Sequence, residues 1–310
     1  MTRAVVFAYH DVGCRCLKVL LDQGVEVPLV VTHDDDPGEN VWFGSVAALS
    51  RGRGIETLTP GDPNAADVVE KVRRLRPDFL FSFYYRLMLK APLLAAPGRG
   101  AFNMHGSLLP KYRGRAPVNW AVLRGETETG ATLHEMTEKP DAGRIVDQEA
   151  VPILPDDLAV DVFGKVTGAA ERVLARSLPK LIAGSAELRA QDLSRGSYFG
   201  GRSPEDGRID WNRPAKEIHD LVRAVAPPYP GAFTDFDGKR LKVLRTRLLD
   251  KHGARAPARL YAENGHCYAA CADGGAVELV ELELDGEPVS APEFAQRIGG
   301  RAVGLQQEHR

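Results

Sequence analysis

Asn103 and His105 stand two positions apart at the end of the largely apolar stretch Gly100 to His105. In an extended segment, side chains two apart leave the same face, so this amide and this imidazole point at one small volume. The amide can donate to a developing oxyanion, and the imidazole can hold or release a proton near neutral pH. Taken alone, such a pair more often serves as local hydrogen-bonding groups at a strand end. The loop behind it favours chemistry: Gly106 would let another molecule approach the backbone, and Pro110 and Pro117 stiffen the span. Lys111, Arg113 and Arg115 place three positive charges within five positions. They form either a solvated basic loop or a site for a phosphate or carboxylate, and spacing does not separate the two. Asp141 lies in Lys139-Pro-Asp-Ala-Gly143, a turn after the strand candidate Gly130 to Met136. An Asp in such a turn often caps only its own backbone. If the turn folds back on His105, the carboxylate would orient the ring and stabilise positive charge on it.

These residues need a scaffold that holds them at strand ends. Ala4 to Ala8 is an apolar run, Asp11 to Gly13 reads as a turn, and Cys14 to Gln23 is amphipathic, with Leu17, Leu20 and Leu21 on one face. Gly24 ends that helix and Val27 to Thr32 is the next apolar run, a strand–helix–strand opening with the unbroken hydrophobicity of parallel strands covered on both faces. Helices over Trp42 to Arg51 and Ala65 to Leu75 and a strand over Asp78 to Tyr84 continue the alternation. The predicted fold is α/β, a doubly wound, Rossmann-like, mostly parallel sheet, whose ligands sit beyond the carboxyl ends of the strands. Asp156 or Asp157 is placed to cap a long helix running to about Ala183. Beyond Gly184 the chain turns polar, with Gly196, Gly200, Gly201, Pro204 and Gly207. We therefore divide it into a catalytic domain, 1–190, a linker, 191–208, and a smaller β-rich, OB-like domain, 209–310. The last contains a short helix, Ala215 to Ala224, and alternating segments such as Arg240 to Leu244 and Val277 to Leu284. Lys239, Arg240, Lys242, Arg245 and Arg247 read as a solvated strand face.

Composition narrows the function. A chain of 310 residues with 44% hydrophobic and 26% charged residues suits a folded protein rather than a disordered one or a coiled coil. Lys and Arg number 40 against 42 Asp and Glu, so no global basic field gathers a polyanion, and nucleic acid is not an expected partner. Cys14-x-Cys16 and Cys267-x-x-x-Cys271 match neither zinc nor redox spacings, so free thiols and no metal are expected. The first residues lack signal-peptide character and no run reaches the roughly 18 apolar residues of a membrane span, which predicts a soluble, cytoplasmic protein without membrane insertion. After the first strand, Ala8-Tyr-His-Asp-Val-Gly13 lacks the glycine-rich turn of dinucleotide sites, so NAD is not expected.

Asn-x-His followed by Ser-Leu-Leu-Pro-x-Tyr-Arg-Gly, then an Asp-x-Gly turn, resembles the folate-dependent formyltransferases. The resemblance implies a triad of Asn103, His105 and Asp141, 10-formyltetrahydrofolate as co-substrate, and a doubly wound amino-terminal domain. Val6 to Asp11, Thr32-His33, Asp36-Pro-Gly-Glu39, Phe81 to Arg86, Gly125 to Gly130, Arg223-Ala-Val-Ala and Pro230 to Phe233 are similar to one branch of that family. This branch occurs as the formyltransferase half of a bifunctional polymyxin-resistance protein, fused to an NAD-dependent decarboxylase, and formylates UDP-4-amino-4-deoxy-L-arabinose for lipid A modification. The resemblance implies a UDP-amino sugar substrate, with any decarboxylase and aminotransferase of the pathway as separate enzymes. It places the folate near Leu87, Met88 and Leu89, near Arg115, and along Thr137, Glu138, Lys139, Pro140 and Asp141. Leu87 departs from the branch, which has a polar residue there. Methionyl-tRNA formyltransferase shares the triad, but the acidic stretch His33-Asp-Asp-Asp-Pro37 would repel a phosphate backbone.

Overall fold

The structure is a computed structural model that describes residues 1–35, 38, 40–250, 253–299 and 302–305. Asp36, Pro37 and Glu39, part of the acidic stretch and of the branch-like segment, lie outside these. The elements in order are β1 (Arg3–Ala8), α1 (His10–Asp22), β2 (Glu26–Val31), α2 (Val46–Gly52), β3 (Glu56–Leu58), α3 (Ala66–Arg74), β4 (Phe79–Phe83), α4 (Ala91–Leu94), β5 (Ala101–His105), β6 (Arg113–Gly114), α5 (Pro117–Leu123), β7 (Glu128–Glu135), β8 (Ile145–Pro152), α6 (Ala159–Ala183) and β9 (Tyr198–Phe199). There follow α7 (Ala215–Val225), β10 (Ala232–Phe236), β11 (Lys239–Leu249), β12 (Arg259–Glu263), β13 (His266–Ala270), β14 (Ala276–Leu284), β15 (Glu287–Val289), α8 (Ala291–Ile298) and β16 (Val303–Gly304).

The chain forms two compact units. The first comprises Met1–Pro117, Glu128–Pro152 and Phe163–Gly200, and the second Val118–Thr127, Ile153–Val162 and Gly201–Arg310. In the first, a seven-stranded sheet runs in the order β3-β2-β1-β4-β5-β7-β8. The strands from β3 to β5 are parallel, and β7 and β8 are antiparallel to their neighbours. This is the doubly wound, mostly parallel sheet expected, with its strand order reversing between β1 and β4. Val5, Phe7, Leu29, Val31, Leu80 and Leu93 lie in one cluster sealed from solvent, which explains why β1, β2 and β4 read as unbroken apolar runs.

Local boundaries differ from the sequence expectation for identifiable reasons. Helix α1 begins at His10, so Asp11 to Gly13 is its first turn rather than a separate one. Gly13 serves close packing there, because a Cβ would lie 2.9 Å from Val46 Cγ2 and 3.1 Å from Ala8 Cβ. Helix α2 starts only at Val46, where the Ser45 side chain accepts from the Ala48 N–H. Trp42 and Phe43 precede it in irregular backbone, with the His10 ring stacked on Phe43 at 3.8 Å. Helix α6 begins at Ala159, so Leu158 rather than Asp156 or Asp157 is the residue that precedes it. Asp157 accepts instead from the Leu154 N–H at 2.7 Å, while Asp161, inside the helix, accepts from the Leu158 N–H at 2.9 Å.

The second unit holds an antiparallel sheet in the order β10-β11-β14-β13-β12-β16, with β15 beside β14, and the helices α7 and α8. Three of the five basic residues of β11 are matched across the strand pair: Lys242 with Glu283 at 2.9 Å, Arg247 with Glu278 at 2.9 Å, and Arg245 with Glu281 at 3.5 Å; Arg240 reaches Glu205 instead, at 3.6 Å. On α7 the buried Arg223 pairs with Asp220 at 2.5 Å and donates to the Asp157 carbonyl at 2.8 Å, tying the segment 153–157 into this unit.

At Gly130 in β7 an added Cβ would fall 2.1 Å from the Glu149 carbonyl oxygen and 2.6 Å from Leu108 Cδ2. Backbone cannot yield as a side-chain tip does. Gly130→Ala should therefore cost about 1–3 kcal/mol of stability, read as a lower urea midpoint at unchanged m-value.

Candidate active site

Strand β5 ends on His105, and its antiparallel neighbour β7 sets Asn103 opposite His134 and His105 opposite Thr132. Asn103 Nδ2 lies 3.1 Å from His134 Nε2. On its other side, His134 Nδ1 is 2.8 Å from the Glu135 carbonyl oxygen, which can only accept, so Nδ1 carries a proton. Nε2 accepts from the Asn103 amide while the ring is neutral and, when the ring is protonated, donates toward the Asp141 carboxylate instead. One N–H of that amide remains for a ligand.

Asp141 brings the group together. Its Oδ1 lies 3.6 Å from His105 Nδ1 and 3.5 Å from His134 Nε2, and its Oδ2 accepts from the Gly114 N–H at 2.8 Å. Burial pushes the Asp141 carboxyl upward, but the facing His105, together with His134 and the Gly114 amide, outweighs it and holds the group well below the usual carboxylate range. His105 Nε2 donates to the Tyr112 carbonyl at 2.8 Å, so both of its nitrogens face acceptors.

Two pieces of backbone make this possible. Gly114 has φ +97°, and a Cβ there would sit 2.1 Å from the Phe199 carbonyl oxygen, to whose strand β6 is paired. Asp141 itself is left-handed at φ +53°, and the turn is held from behind by Gln191, whose amide donates to the Asp141 and Gly143 carbonyls at 3.0 and 2.6 Å. The span 107–112 is tied down as well: the Ser107 hydroxyl donates to the Lys111 carbonyl at 2.6 Å, and Thr132 donates to the Ser107 carbonyl at 2.6 Å. Gly106 differs from its expected role. The space beside it is taken by the Tyr84 phenol, whose oxygen would stand 1.9 Å from an added Cβ.

The positions expected to meet folate are divided by the structure. Leu87 and Met88 follow β4 with 39% and 54% of their surface exposed, whereas Leu89 is 3% exposed and packs into the sheet core. The Met88 carbonyl already accepts from Asn64 at 2.9 Å. Arg115 is exposed, as are Thr137, Glu138 and Lys139, while Pro140 is half-buried. Of the other two loop cations, Lys111 is exposed and Arg113 half-buried, with a sequestered Nε that finds no hydrogen-bond partner. His134 was absent from the sequence reading. The alternation of β7 puts it on the face of Thr132, but nothing in the sequence fixes the register that sets it against Asn103. Among the described residues no group of three or more His, Cys, Asp or Glu could hold a metal, and no helix is long and apolar enough to cross a membrane.

Residues 14–178 match the family model described as formyl transferase, and residues 202–299 match that of the formyl transferase C-terminal domain. The chain belongs to the formyl transferase family. Among solved structures it is similar to the N-formyltransferase of Helicobacter canadensis in complex with folinic acid and dTDP-3-aminofucose, at TM-score 0.73 and 21% identity over 90% of this chain and 99% of that one. WlaRD, a sugar 3N-formyltransferase solved with dTDP and 5-N-formyl-THF, matches at TM-score 0.71 and 20% identity over 90% and 97%. A sugar N-formyltransferase from a Shewanella species matches at 0.64 and 17% over 81% and 100%. At these identities the likeness is one of fold.

Two predictions follow from the geometry. Asp141 is held ionised in the folded protein, so its contribution to stability is complete above its unfolded value of about 3.9 and fades as pH falls below that. The stability gap between wild type and Asp141→Asn, measured by denaturant titration, should be present at pH 5 and shrink on acidification below about pH 4. His134→Ala should lower the kcat of formyl transfer about tenfold, equivalent to ~1.4 kcal/mol, with KM little changed, and His134→Gln should recover part of the loss because its carbonyl can still accept from Asn103.

Proposed function

We propose that this chain transfers the formyl group of 10-formyltetrahydrofolate to the amine of a nucleotide-linked amino sugar, and that the acceptor is UDP-4-amino-4-deoxy-L-arabinose. The observation that carries the reading is the gathering of Asn103, His105 and His134 around the buried Asp141 carboxylate at a strand terminus. Membership of the formyl transferase family supports the reaction type, and the folate and dTDP-linked ligands named for two similar structures support the substrate class. The finer acceptor and its place in lipid A modification rest on the resemblance of Val6 to Asp11, Phe81 to Arg86 and Arg223 to Ala226 to the polymyxin-resistance branch.

In this mechanism the neutral sugar amine attacks the formyl carbon; its new C–N bond forms as the bond from that carbon to the folate nitrogen breaks. The Asn103 N–H not used by His134 donates to the formyl oxygen as negative charge grows there. His105 gives a proton to the departing folate nitrogen and regains one from the sugar nitrogen, with Asp141 steadying the charge on the ring. To do so, the ring exchanges its Tyr112 contact for the substrates. Leu87 and Met88 offer exposed apolar surface to the flat pterin, and Arg115 an anchor for an anionic group. The catalytic domain is 1–190, joined by a linker, 191–208, to the domain 209–310, and the enzyme works in the cytoplasm on a sugar nucleotide supplied by decarboxylase and aminotransferase chemistry. A second acceptor class, dTDP-linked 3-amino sugars, is favoured by the ligand bound to the Helicobacter canadensis protein.

The test is a single-turnover assay with 10-formyltetrahydrofolate and UDP-4-amino-4-deoxy-L-arabinose, following tetrahydrofolate release and the mass of the sugar nucleotide. We expect a gain of one formyl mass, slowed roughly a hundredfold or more in Asn103→Ala and His105→Ala while folate still binds. Transfer only to a dTDP-3-amino sugar would replace the acceptor, and full activity in His105→Ala would overturn the site.

A further inference from the structure

The second unit contains a cavity of about 300 Å³ that the reaction chemistry does not use. Its apolar lining comes from Trp120 and Leu123 on α5 and from Leu221 on α7, and its charged lining includes Arg124, Arg202, Arg208 and Arg213 with Asp206, Asp210 and Glu217. That volume is at the lower end of the range for small-molecule sites.

The charges do not cancel within it. Asp206 is engaged by its own turn, accepting from the Ser203 N–H at 2.5 Å and from the Ser203 hydroxyl at 3.2 Å. Asp210 accepts from the backbone and side-chain amides of Asn212 at 3.0 and 3.1 Å, and Glu217 pairs with Arg213 at 2.5 Å. Arg208 is likewise committed, to Asp235 at 2.8 Å and to the face of Phe233 at 4.7 Å. Arg202 is different. Its guanidinium lies 4.8 Å from the centre of the Trp120 ring, and one Nη donates to the main-chain carbonyl of Asp206 at 3.0 Å. It makes no ion pair among the described residues, although burial disfavours its charge and only a more distant Asp206 supports it. A half-buried guanidinium braced on an indole, with donors to spare and every nearby carboxylate occupied, is the chemistry that recognises a planar organic anion.

We infer that this cavity binds a flat heteroaromatic ring carrying a phosphate or carboxylate, the ring against Trp120 and the anion on Arg202. A nucleoside diphosphate has that chemistry; a reduced folate shares it, but its pterin and anion are already placed at Leu87, Met88 and Arg115, so the nucleotide is the occupant and folinic acid the control. The inference uses none of the residues around Asp141, and the experiment separates the two ligands. The full-length protein and its Arg202→Gln and Trp120→Leu variants are titrated by calorimetry with UDP and, separately, with folinic acid, after their urea midpoints have been measured. The expected result is at least a tenfold loss of affinity, or loss of one binding event, for UDP in Arg202→Gln, with folinic acid binding unchanged and a midpoint equal to wild type. Loss for UDP assigns the cavity to the nucleotide, and loss for folinic acid alone overturns that assignment. Isotherms identical to wild type for both compounds in Arg202→Gln overturn the site, whatever Trp120→Leu does and whether or not formyl transfer is detected.

Discussion

A carboxylate taken out of water costs several kcal/mol unless charges and hydrogen bonds replace its hydration, and Asp141 is held where little water reaches it. Its side chain is 13% exposed. The partners that replace water come from three separate stretches of chain: the end of β5, the end of β7, and the backbone of β6. Each of those stretches must therefore be in place before the carboxylate is tolerable, and a carboxylate so held orients two imidazoles at once.

The surroundings of Asp141 show how narrow that arrangement is. Gly114 can donate its N–H only because it has no side chain, since β6 runs against the Phe199 backbone at a distance no Cβ would survive. The Asp141 turn is left-handed, a conformation that an Asp adopts more readily than a bulky residue, and the Gln191 amide clasps it through two carbonyls. Gly143 closes the same turn against the Glu135 carbonyl, 1.9 Å from where a Cβ would be. Rigid backbone on both sides leaves the second N–H of the Asn103 amide to meet a substrate, whereas the buried His105 ring must first give up its Tyr112 contact.

In the second unit the same physics has two outcomes. Along β11 Lys242, Arg245 and Arg247 face carboxylates of β14, across a register that shifts at Arg245, so these charges offset one another at the surface and are worth little individually. Around Trp120 the acids are spent on their own turns and Arg202 is left braced on the indole. Counting Lys and Arg against Asp and Glu would treat both places alike; the difference lies in which carboxylate each cation can reach.

Much of this was legible in the amino-acid sequence because it depends on local pattern. Unbroken apolar runs at Ala4 to Ala8 and Val27 to Thr32 require strands covered on both faces, Asn103 and His105 share a face by the period of a strand, and Gly24 stops α1 with φ +75°. Helix starts were less legible: α1 and α2 are displaced by four residues in opposite directions, because a close-packed Gly13 and the Ser45 cap outweigh the spacing of apolar residues. The role of His134 could not be read at all, since it depends on the register of β7 against β5, and a slip of one residue would turn it to the other face. The same holds for Gly106, whose neighbour Tyr84 is 22 positions away, and for Leu89, which the core claims while Leu87 and Met88 stay exposed. Residue types and spacing determined which chemistry was available; long-range register and packing decided which side chains stand close enough to take part, because both are set by contacts between segments far apart in the chain.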